Sequence, residues 1–100
     1  MLISKGGWVY LVTNENHTVL YTGVTSNLVR RIEEHRERKI KHSFSWKYNC
    51  VKLVYYQGYV FINDAIAEEK RIKAGSRKKK IELIEGMNAE WRDLWKDISS

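Results

Sequence analysis

The sequence predicts an α+β fold in which a small three-stranded antiparallel β-sheet is flanked by helices. Residues 8–13 and 19–24 are rich in β-branched and aromatic side chains and flank a polar, Asn-rich turn, which is typical of a β-hairpin. A third strand-like segment covers 50–57, and apolar residues at helical spacing follow elsewhere. The predicted order is β-β-α-β-α-α-α, which favours an antiparallel sheet covered by helices.

Four helices are predicted from capping residues and apolar stripes. Their expected ranges are 27–37, 63–73, 78–85 and 91–98, with a long loop over 38–49. Thr25 or Ser26 is expected to cap the first helix, and Asn63 or Asp64 the second. Asn88 is the N-cap candidate of the last helix, whose two tryptophans we interpret as core residues.

Composition favours one folded domain over residues 1–100. Apolar residues make up 43% of the chain, and no apolar run approaches the length of a membrane span. The segment 1–5 is too short for a signal peptide, and the single cysteine, Cys50, cannot form an intrachain disulfide. A small buried thiol is the expectation for Cys50. We therefore expect a cytoplasmic protein without a membrane partner.

The net charge of +6 indicates a polyanionic partner. Much of the charge lies in one short stretch, whose candidate nucleic-acid contacts are Lys70, Lys73, Arg77, Lys78, Lys79 and Lys80. A solvated helix face explains such a run as well as a nucleic-acid surface does, so charge alone leaves both interpretations open.

The hairpin is expected to place two tyrosines side by side. A four-residue loop over 14–17 would put Tyr10 directly opposite Tyr21, on the same face of the sheet. Gly23 would then lie beneath Trp8 and leave room for a ligand. Phenols serve in proton transfer and phosphate binding as well as in packing.

Glu69 is predicted near the middle of an apolar helix face. At 100° per residue, Ile62, Ala65, Ile66 and Ile72 define that face of the second helix, whereas Glu68 lies to one side. A carboxylate in such a position needs a neutralising partner. A neighbouring Arg or Lys would supply it, and so would a bound metal ion, and both interpretations remain open.

Arg31 and His35 are four residues apart and therefore share one side of the first helix. An arginine there can hold a phosphate oxygen, and a histidine can supply a proton or a phosphate contact. An ordinary exposed helix surface is the alternative, because Glu33, Glu34 and Glu37 offer both side chains acidic partners.

Taken in chain order, these residues resemble the GIY-YIG nuclease superfamily. The motifs that carry the resemblance are Trp8-Val9-Tyr10, Tyr21-Thr22-Gly23, Arg31, His35, Glu69 and Asn88. Trp8 and Thr22 depart from the family's usual glycine and isoleucine, whereas both tyrosines and Gly23 are kept. The sequence is most similar to the small stand-alone bacterial members, and the resemblance covers nearly the whole chain.

The resemblance implies the GIY-YIG fold and metal-dependent cleavage of a DNA phosphodiester. The site residues that it implies are the tyrosines Tyr10 and Tyr21, the phosphate-binding Arg31, the metal-ligating Glu69, and His35 and Asn88. It also implies one Mg²⁺ or Mn²⁺ ion, weakly bound without substrate. Branched or structured DNA is the expected substrate, in repair or recombination, with a protein partner that would supply specificity.

Two other functions remain open on the sequence. The same fold and basic stretch would suit a module that binds nucleic acid, or docks on a partner, without cutting. RNA binding through stacked Tyr and Trp rings is a third interpretation, although the chain carries no RNA-recognition motif. Metal-dependent turnover separates the first function from the other two.

Overall fold

The computed structural model describes residues 5–37 and 47–99 and contains a three-stranded antiparallel sheet. The strands are β1 Gly7–Thr13, β2 Leu20–Thr25 and β3 Lys52–Tyr59, and β1 lies between the other two. The helices are α1 Leu28–Arg36, α2 Ile62–Ala74, α3 Arg77–Met87 and α4 Trp95–Ser99. In the described residues the order is β-β-α-β-α-α-α, which confirms the α+β prediction. The expected loop over 38–49 lies largely outside these residues.

The central strand β1 is buried along its whole length because helices cover both faces of the sheet. Trp8, Tyr10 and Val12 pack with apolar side chains of α1 and α4. Val9 and Leu11 point to the other face and pack with α2 and α3. Since successive strand side chains alternate between faces, the tyrosine of β1 lies on the α1 face.

The hairpin register differs by two residues from the predicted one. Tyr10 lies opposite Gly23 rather than Tyr21. A two-residue shift keeps every side chain on its face, so the two tyrosines remain neighbours, now diagonal, with ring centroids 6.4 Å apart. Trp8 pairs with Thr25, so the prediction that Gly23 lies beneath Trp8 is wrong.

The cause of the shift lies in the connection between β1 and β2. Asn14 Oδ1 accepts hydrogen bonds from the backbone N–H groups of Thr18 (2.9 Å) and Val19 (3.0 Å). The hydroxyl of Thr13 donates to the Val19 carbonyl over 2.6 Å. Because these side chains take both backbone groups of Val19, that residue cannot pair with β1, and the connection is longer than predicted.

The N-cap of α1 is Asn27, one or two residues later than expected. Its side chain accepts a hydrogen bond from the Arg30 N–H over 3.2 Å. Thr25 has a different role, because its hydroxyl accepts from the Asn27 N–H and shapes the turn before the helix. The predicted caps Thr25 and Ser26 are therefore wrong.

Helix α2 begins earlier than predicted and without a side-chain cap. Phe61 occupies its N-cap position and makes no cap hydrogen bond, so Asn63 and Asp64 lie inside the first turn. Helix α3 extends beyond its predicted range at both ends, and Ser76 caps it by accepting a hydrogen bond from the Lys79 N–H.

The last helix is shorter than predicted, and Asn88 is not its N-cap. Asn88 is the C-cap of α3, and its amide donates to the carbonyls of Val54 (3.3 Å) and Arg92 (2.8 Å). Trp91 has a φ of 56°, which interrupts any helix there. The chain instead crosses from one face of the sheet to the other, because Trp91 packs with the α3 side and Leu94 with the α1 side.

Two predictions about the whole chain can be compared with the described residues. In that part of the molecule, no helix has both the length and the apolar character needed to cross a bilayer. Cys50 is buried with 1% exposure, and burial raises the pKa of its thiol to about 11. The prediction of a small buried thiol is confirmed.

Candidate active site

Tyr10 and His35 form a buried hydrogen-bonded pair on the α1 face of the sheet. Tyr10 Oη lies 2.9 Å from His35 Nε2, and the two residues are 1% and 4% exposed. Burial, with a contribution from Tyr21, raises the pKa of the Tyr10 phenol. Burial and the charge of Arg31 lower the pKa of His35 to about 4. Both groups are neutral at pH 7, so Tyr10 is poorly suited to act as a base.

Gly23 provides the space that the Tyr10 hydroxyl occupies. A Cβ atom at position 23 would overlap with Cζ and Oη of Tyr10. The backbone of Gly23 has no positive φ, so close approach rather than conformational freedom requires the glycine. The glycine thus makes room for a ring of the neighbouring strand, not for a ligand.

Tyr21 completes a cluster of three rings. Its ring centroid lies 6.4 Å from that of Tyr10 and 5.6 Å from that of His35. Tyr21 is only partly buried and belongs to the edge strand β2. It also lines a groove of about 270 Å³ between β2 and the helices α2 and α3. Of the two phenols, that of Tyr21 is the one that a substrate can reach.

Arg31 borders the ring cluster from α1. Its Nε lies 3.4 Å from Glu34 Oε1, and 40% of its side chain is exposed. Its charge opposes the rise in the Tyr10 pKa and helps to lower the pKa of His35. The alternative of an ordinary exposed helix surface fits the neighbouring Arg30, whose side chain is 76% exposed. It does not fit His35.

Glu69 approaches the same site from α2. Only 12% of its side chain is exposed, and its charge contributes to the raised pKa of Tyr10. Helix α2 packs mainly on the other face of the sheet, but it also contacts the edge strand β2. Lys73, one helical turn later, places Nζ 3.5 Å from Glu69 Oε2. The expected lysine partner is therefore present.

Glu68 lies to one side of the buried stripe, as the helical spacing predicts. Its carboxylate pairs with Arg71 and accepts a hydrogen bond from Tyr59 Oη over 3.3 Å. The hydrogen bond from Arg71 lowers the pKa of Glu68, which keeps it ionised. Adjacent glutamates of one helix thus have different partners, which makes Glu68 a matched control for Glu69.

Asn88 is not brought to this cluster. Its hydrogen bonds to Val54 and Arg92 place it at β3, and β2 and β3 are opposite edges of the sheet. The catalytic assignment of Asn88 stays a prediction. In the fold, its side chain fixes the chain segment between α3 and α4.

Three of the six basic candidates have bonds within the protein. Lys73 is the partner of Glu69. Lys80 Nζ donates to the Gly75 carbonyl over 2.9 Å, at the carboxyl end of α2. Arg77 donates to the His17 carbonyl over 3.0 Å and holds the connection between β1 and β2. These cations support the fold next to the groove.

The other three basic candidates, Lys70, Lys78 and Lys79, are exposed. Lys78 and Lys79 lie in the first turn of α3, which contains no acidic residue. Positive charge at this end of a helix opposes the helix dipole. The helix dipole therefore gives no reason for the pair, and the assignment of these lysines as nucleic-acid contacts stays a prediction.

A sequence profile described as the GIY-YIG catalytic domain matches residues 6–82. The matched region contains both tyrosines, the arginine and histidine of α1, and Glu69, and it ends before Asn88. This match covers most of the chain and confirms the resemblance. The chain belongs to the GIY-YIG family. Family membership indicates a nuclease domain whose substrate is nucleic acid.

Relatives of this GIY-YIG protein occur in several bacteria. A UPF0213 protein of Syntrophus aciditrophicus is 32% identical over 77 residues, which span 77% of this chain and 87% of that protein. A UPF0213 protein of Pediococcus acidilactici is 32% identical over 82 residues, spanning 81% and 84%. The solution NMR structure of a UPF0213 protein of Bacillus halodurans shares the fold, with a TM-score of 0.56 and 23% identity, covering 94% of this chain and 97% of that one.

The residues at this GIY-YIG site would offer a hard divalent cation one carboxylate, that of Glu69. Within the described residues, no group of three or more His, Cys, Asp or Glu side chains could hold a metal ion. A protein-only cage such as structural zinc requires is therefore not formed there. Mg²⁺ keeps several waters and takes one or two carboxylates plus substrate phosphates, which the little-exposed carboxylate of Glu69 suits.

The sequence left two ion pairs of the site among alternatives and did not indicate one packing contact. Glu34 is the ion-pair partner of Arg31, and Lys73 is that of Glu69. Their spacings of three and four residues on a helix are the signal that identifies such pairs. The fit of the Tyr10 ring over Gly23 has no comparable signal, because it depends on the hairpin register.

Proposed function

We propose that the protein is a divalent-metal-dependent endonuclease that hydrolyses DNA phosphodiester bonds in branched or structured DNA. The observation that supports the proposal is that groups of three elements act on one buried pair, Tyr10 and His35. The Tyr21 ring of β2 contacts both rings, the charge of Arg31 of α1 affects the pKa of both groups, and the charge of Glu69 of α2 affects the pKa of Tyr10. DNA repair and recombination produce such substrates, and we propose this setting for the activity.

In this proposal Arg31 binds the phosphoryl group. Its guanidinium is accessible, because 40% of the side chain is exposed, and its pairing with Glu34 holds it beside the ring cluster. A guanidinium forms two parallel hydrogen bonds with phosphate oxygens and stabilises the negative charge that develops on them.

Glu69 is the proposed protein ligand of the metal ion. Only 12% of its side chain is exposed, and its helix contacts the edge strand β2. When bound, a divalent cation neutralises charge on a nonbridging oxygen and on the leaving oxygen. Remaining ligands would be waters and substrate oxygens, which agrees with a site that binds metal weakly in the free protein.

Tyr21 is the proposed group that hydrogen-bonds to the attacking water and orients it. Tyr10 cannot take this role, because it is buried and its hydroxyl is engaged with His35. The neutral pair instead packs against the Tyr21 ring and holds it in place.

A cleavage assay on flapped, branched and single-stranded DNA tests the proposal. The purified protein should cut at least one of these in Mg²⁺ or Mn²⁺ and none in a chelator. Arg31→Ala should be about 100-fold slower, as expected for loss of a group that stabilises transition-state charge. Tyr21→Phe should lose activity while it keeps the fold.

Arg30→Ala is the matched control for Arg31→Ala. Both arginines pair with Glu34, but the side chain of Arg30 is 76% exposed and that of Arg31 is 40% exposed. Arg30→Ala should cleave at the wild-type rate. Equal cleavage by Arg31→Ala would contradict the proposal and point to a contaminating nuclease. DNA binding without turnover in any variant would favour the non-catalytic module.

A further inference from the structure

We propose that Lys73 is the exchangeable counter-ion of Glu69. Its ammonium neutralises the carboxylate in the free protein and passes to a substrate phosphate when the divalent cation binds. The inference rests on the proposed function and adds to it a residue that couples metal binding to DNA binding.

The two side chains of the ion pair differ in their exposure to solvent. Lys73 Nζ lies 3.5 Å from Glu69 Oε2, and the two side chains are 63% and 12% exposed. A carboxylate with so little exposure needs a positive partner. The lysine does not need the carboxylate to the same degree, because its ammonium is well hydrated on a flexible stem. The pair therefore fixes the anion and leaves the cation able to move.

Lys73 lies in the same groove as Tyr21. Both line the groove of about 270 Å³ beside β2, together with Lys80. The Lys80 ammonium is held by the Gly75 carbonyl at 2.9 Å and by the Lys73 carbonyl at 3.4 Å. Of the two lysines in the groove, Lys73 is thus the one whose charge can turn toward a phosphate next to Tyr21.

Charge repulsion would also separate Lys73 from a bound divalent cation. A divalent cation at Glu69 and the ammonium of Lys73 carry like charges and compete for one carboxylate. The metal affinity of the free protein is therefore lower than the carboxylate alone would give. A polyanionic substrate offers Lys73 a new partner, so each ligand favours the binding of the other.

Mn²⁺ binding to the full chain without DNA, followed by electron paramagnetic resonance, tests the exchange. Lys73→Met should raise the Mn²⁺ affinity about fivefold, the size expected when a partly exposed ion pair is removed. Methionine keeps the apolar stem of the lysine, so packing is retained. Lys73→Arg should bind Mn²⁺ no more tightly than wild type. Lys96→Met, at an exposed lysine of α4, is the control and should leave the affinity unchanged.

A second measurement addresses the DNA side of the exchange. The salt dependence of DNA binding should lose about one unit of slope in Lys73→Met when Mn²⁺ is present, because one phosphate contact is missing. Without the metal, the slopes of Lys73→Met and wild type should agree, since Lys73 is then held by Glu69.

The outcomes distinguish this inference from the proposed function. Glu69→Gln should abolish specific Mn²⁺ binding. If it does so, while Lys73→Met binds Mn²⁺ as wild type does or more weakly, the exchange is wrong and the metal site stands. If Glu69→Gln binds Mn²⁺ like wild type, then Glu69 is not the ligand, and both the exchange and the proposed metal site are wrong.

Discussion

At the residue scale, the site contains two ionisable groups that the fold keeps neutral. The hydroxyl of Tyr10 and the imidazole of His35 lie within hydrogen-bond distance and are almost fully buried. Burial disfavours the charged form of each group, so the phenol keeps its proton and the imidazole does not gain one. Both neutral rings lie against the ring of Tyr21, with centroids 6.4 Å and 5.6 Å from it.

Substitution of His35 should make the free energy of unfolding less dependent on pH below pH 7. Its ordinary pKa of 6.5 falls to about 4 in the fold, through burial and the charge of Arg31. Between pH 6.5 and pH 4 the histidine is protonated more readily in the unfolded chain than in the folded protein. The contribution of His35 to the free energy of unfolding is therefore complete above pH 6.5 and is lost as the pH falls. By pH 5 the loss is at most about 2 kcal/mol, at about 1.4 kcal/mol per pKa unit.

Urea unfolding of wild type and His35→Gln at pH 7 and pH 5 measures this difference. The free energy of unfolding of wild type should fall more than that of the variant. Carboxylates titrate in both proteins, so their contribution cancels in the comparison. Equal losses in the two proteins would contradict a buried neutral histidine.

Gly23→Ala should destabilise the protein because its methyl group would overlap with the Tyr10 ring. Overpacking of this kind costs about 1–3 kcal/mol in the free energy of unfolding, measured in urea. Gly86→Ala is the control, since no atom lies within 4 Å of a Cβ there and the residue is helical. That substitution should leave stability unchanged or raise it. A stable Gly23→Ala would contradict the observed register.

Sequence periodicity predicted the residues of the site better than it predicted their pairing. Helical spacing distinguished Glu69 from Glu68 and placed Arg31 and His35 on one side of α1. The opposition of Tyr10 and Tyr21 was wrong, because side-chain bonds capture the backbone of Val19. Such bonds depend on local geometry that residue type alone does not specify.

At the element scale, α2 carries Glu69 without the usual capping support. Phe61 at the N-cap position makes no cap hydrogen bond and is 68% exposed. Phe61→Asp should add a cap and raise the free energy of unfolding by about 1 kcal/mol. Val60→Asp, equally exposed at 68% but outside the cap position, should have no such effect. Equal thermal stability of the two variants would contradict the boundary assigned to α2.

The elements differed in how far the sequence could predict them. The strands and the first three helices carry clear alternating or helical patterns, so their predicted and observed ranges differ only at the ends. The helix ends differ where another residue supplies the cap. The fourth helix was predicted from apolar residues at helical spacing, but the first part of that segment is not helical in the structure. Asn88 and the positive φ of Trp91 turn the chain across the edge of β3. Tertiary contacts decided that segment.

At the scale of the whole molecule, the two edges of the sheet have different surroundings. The chain after α3 covers the edge of β3, where the Leu94 N–H donates to the Leu53 carbonyl over 2.8 Å. Next to β2 the structure instead forms the groove lined by Tyr21 and Lys73. One edge is thus closed by the chain itself, and the proposed chemistry is confined to the other.

The basic surface should determine the salt dependence of DNA binding. The double variant Lys78→Ala/Lys79→Ala should bind DNA more weakly at every sequence and lose about two units of slope against salt concentration. Its free energy of unfolding should not fall, because positive charge is removed from the positive end of α3. Lys96→Ala, an exposed lysine of α4, is the control and should keep the wild-type slope. An unchanged slope in the double variant would contradict a nucleic-acid role.

The most direct test of the proposed metal-dependent activity compares two adjacent glutamates of α2. Single-turnover cleavage of DNA in Mg²⁺ should be about 100-fold or more slower in Glu69→Ala, because the proposed metal ligand is lost. Glu68→Ala loses only its contacts with Arg71 and Tyr59 and should cleave within about threefold of wild type. Equal rates for the two variants would contradict a metal-dependent site at Glu69.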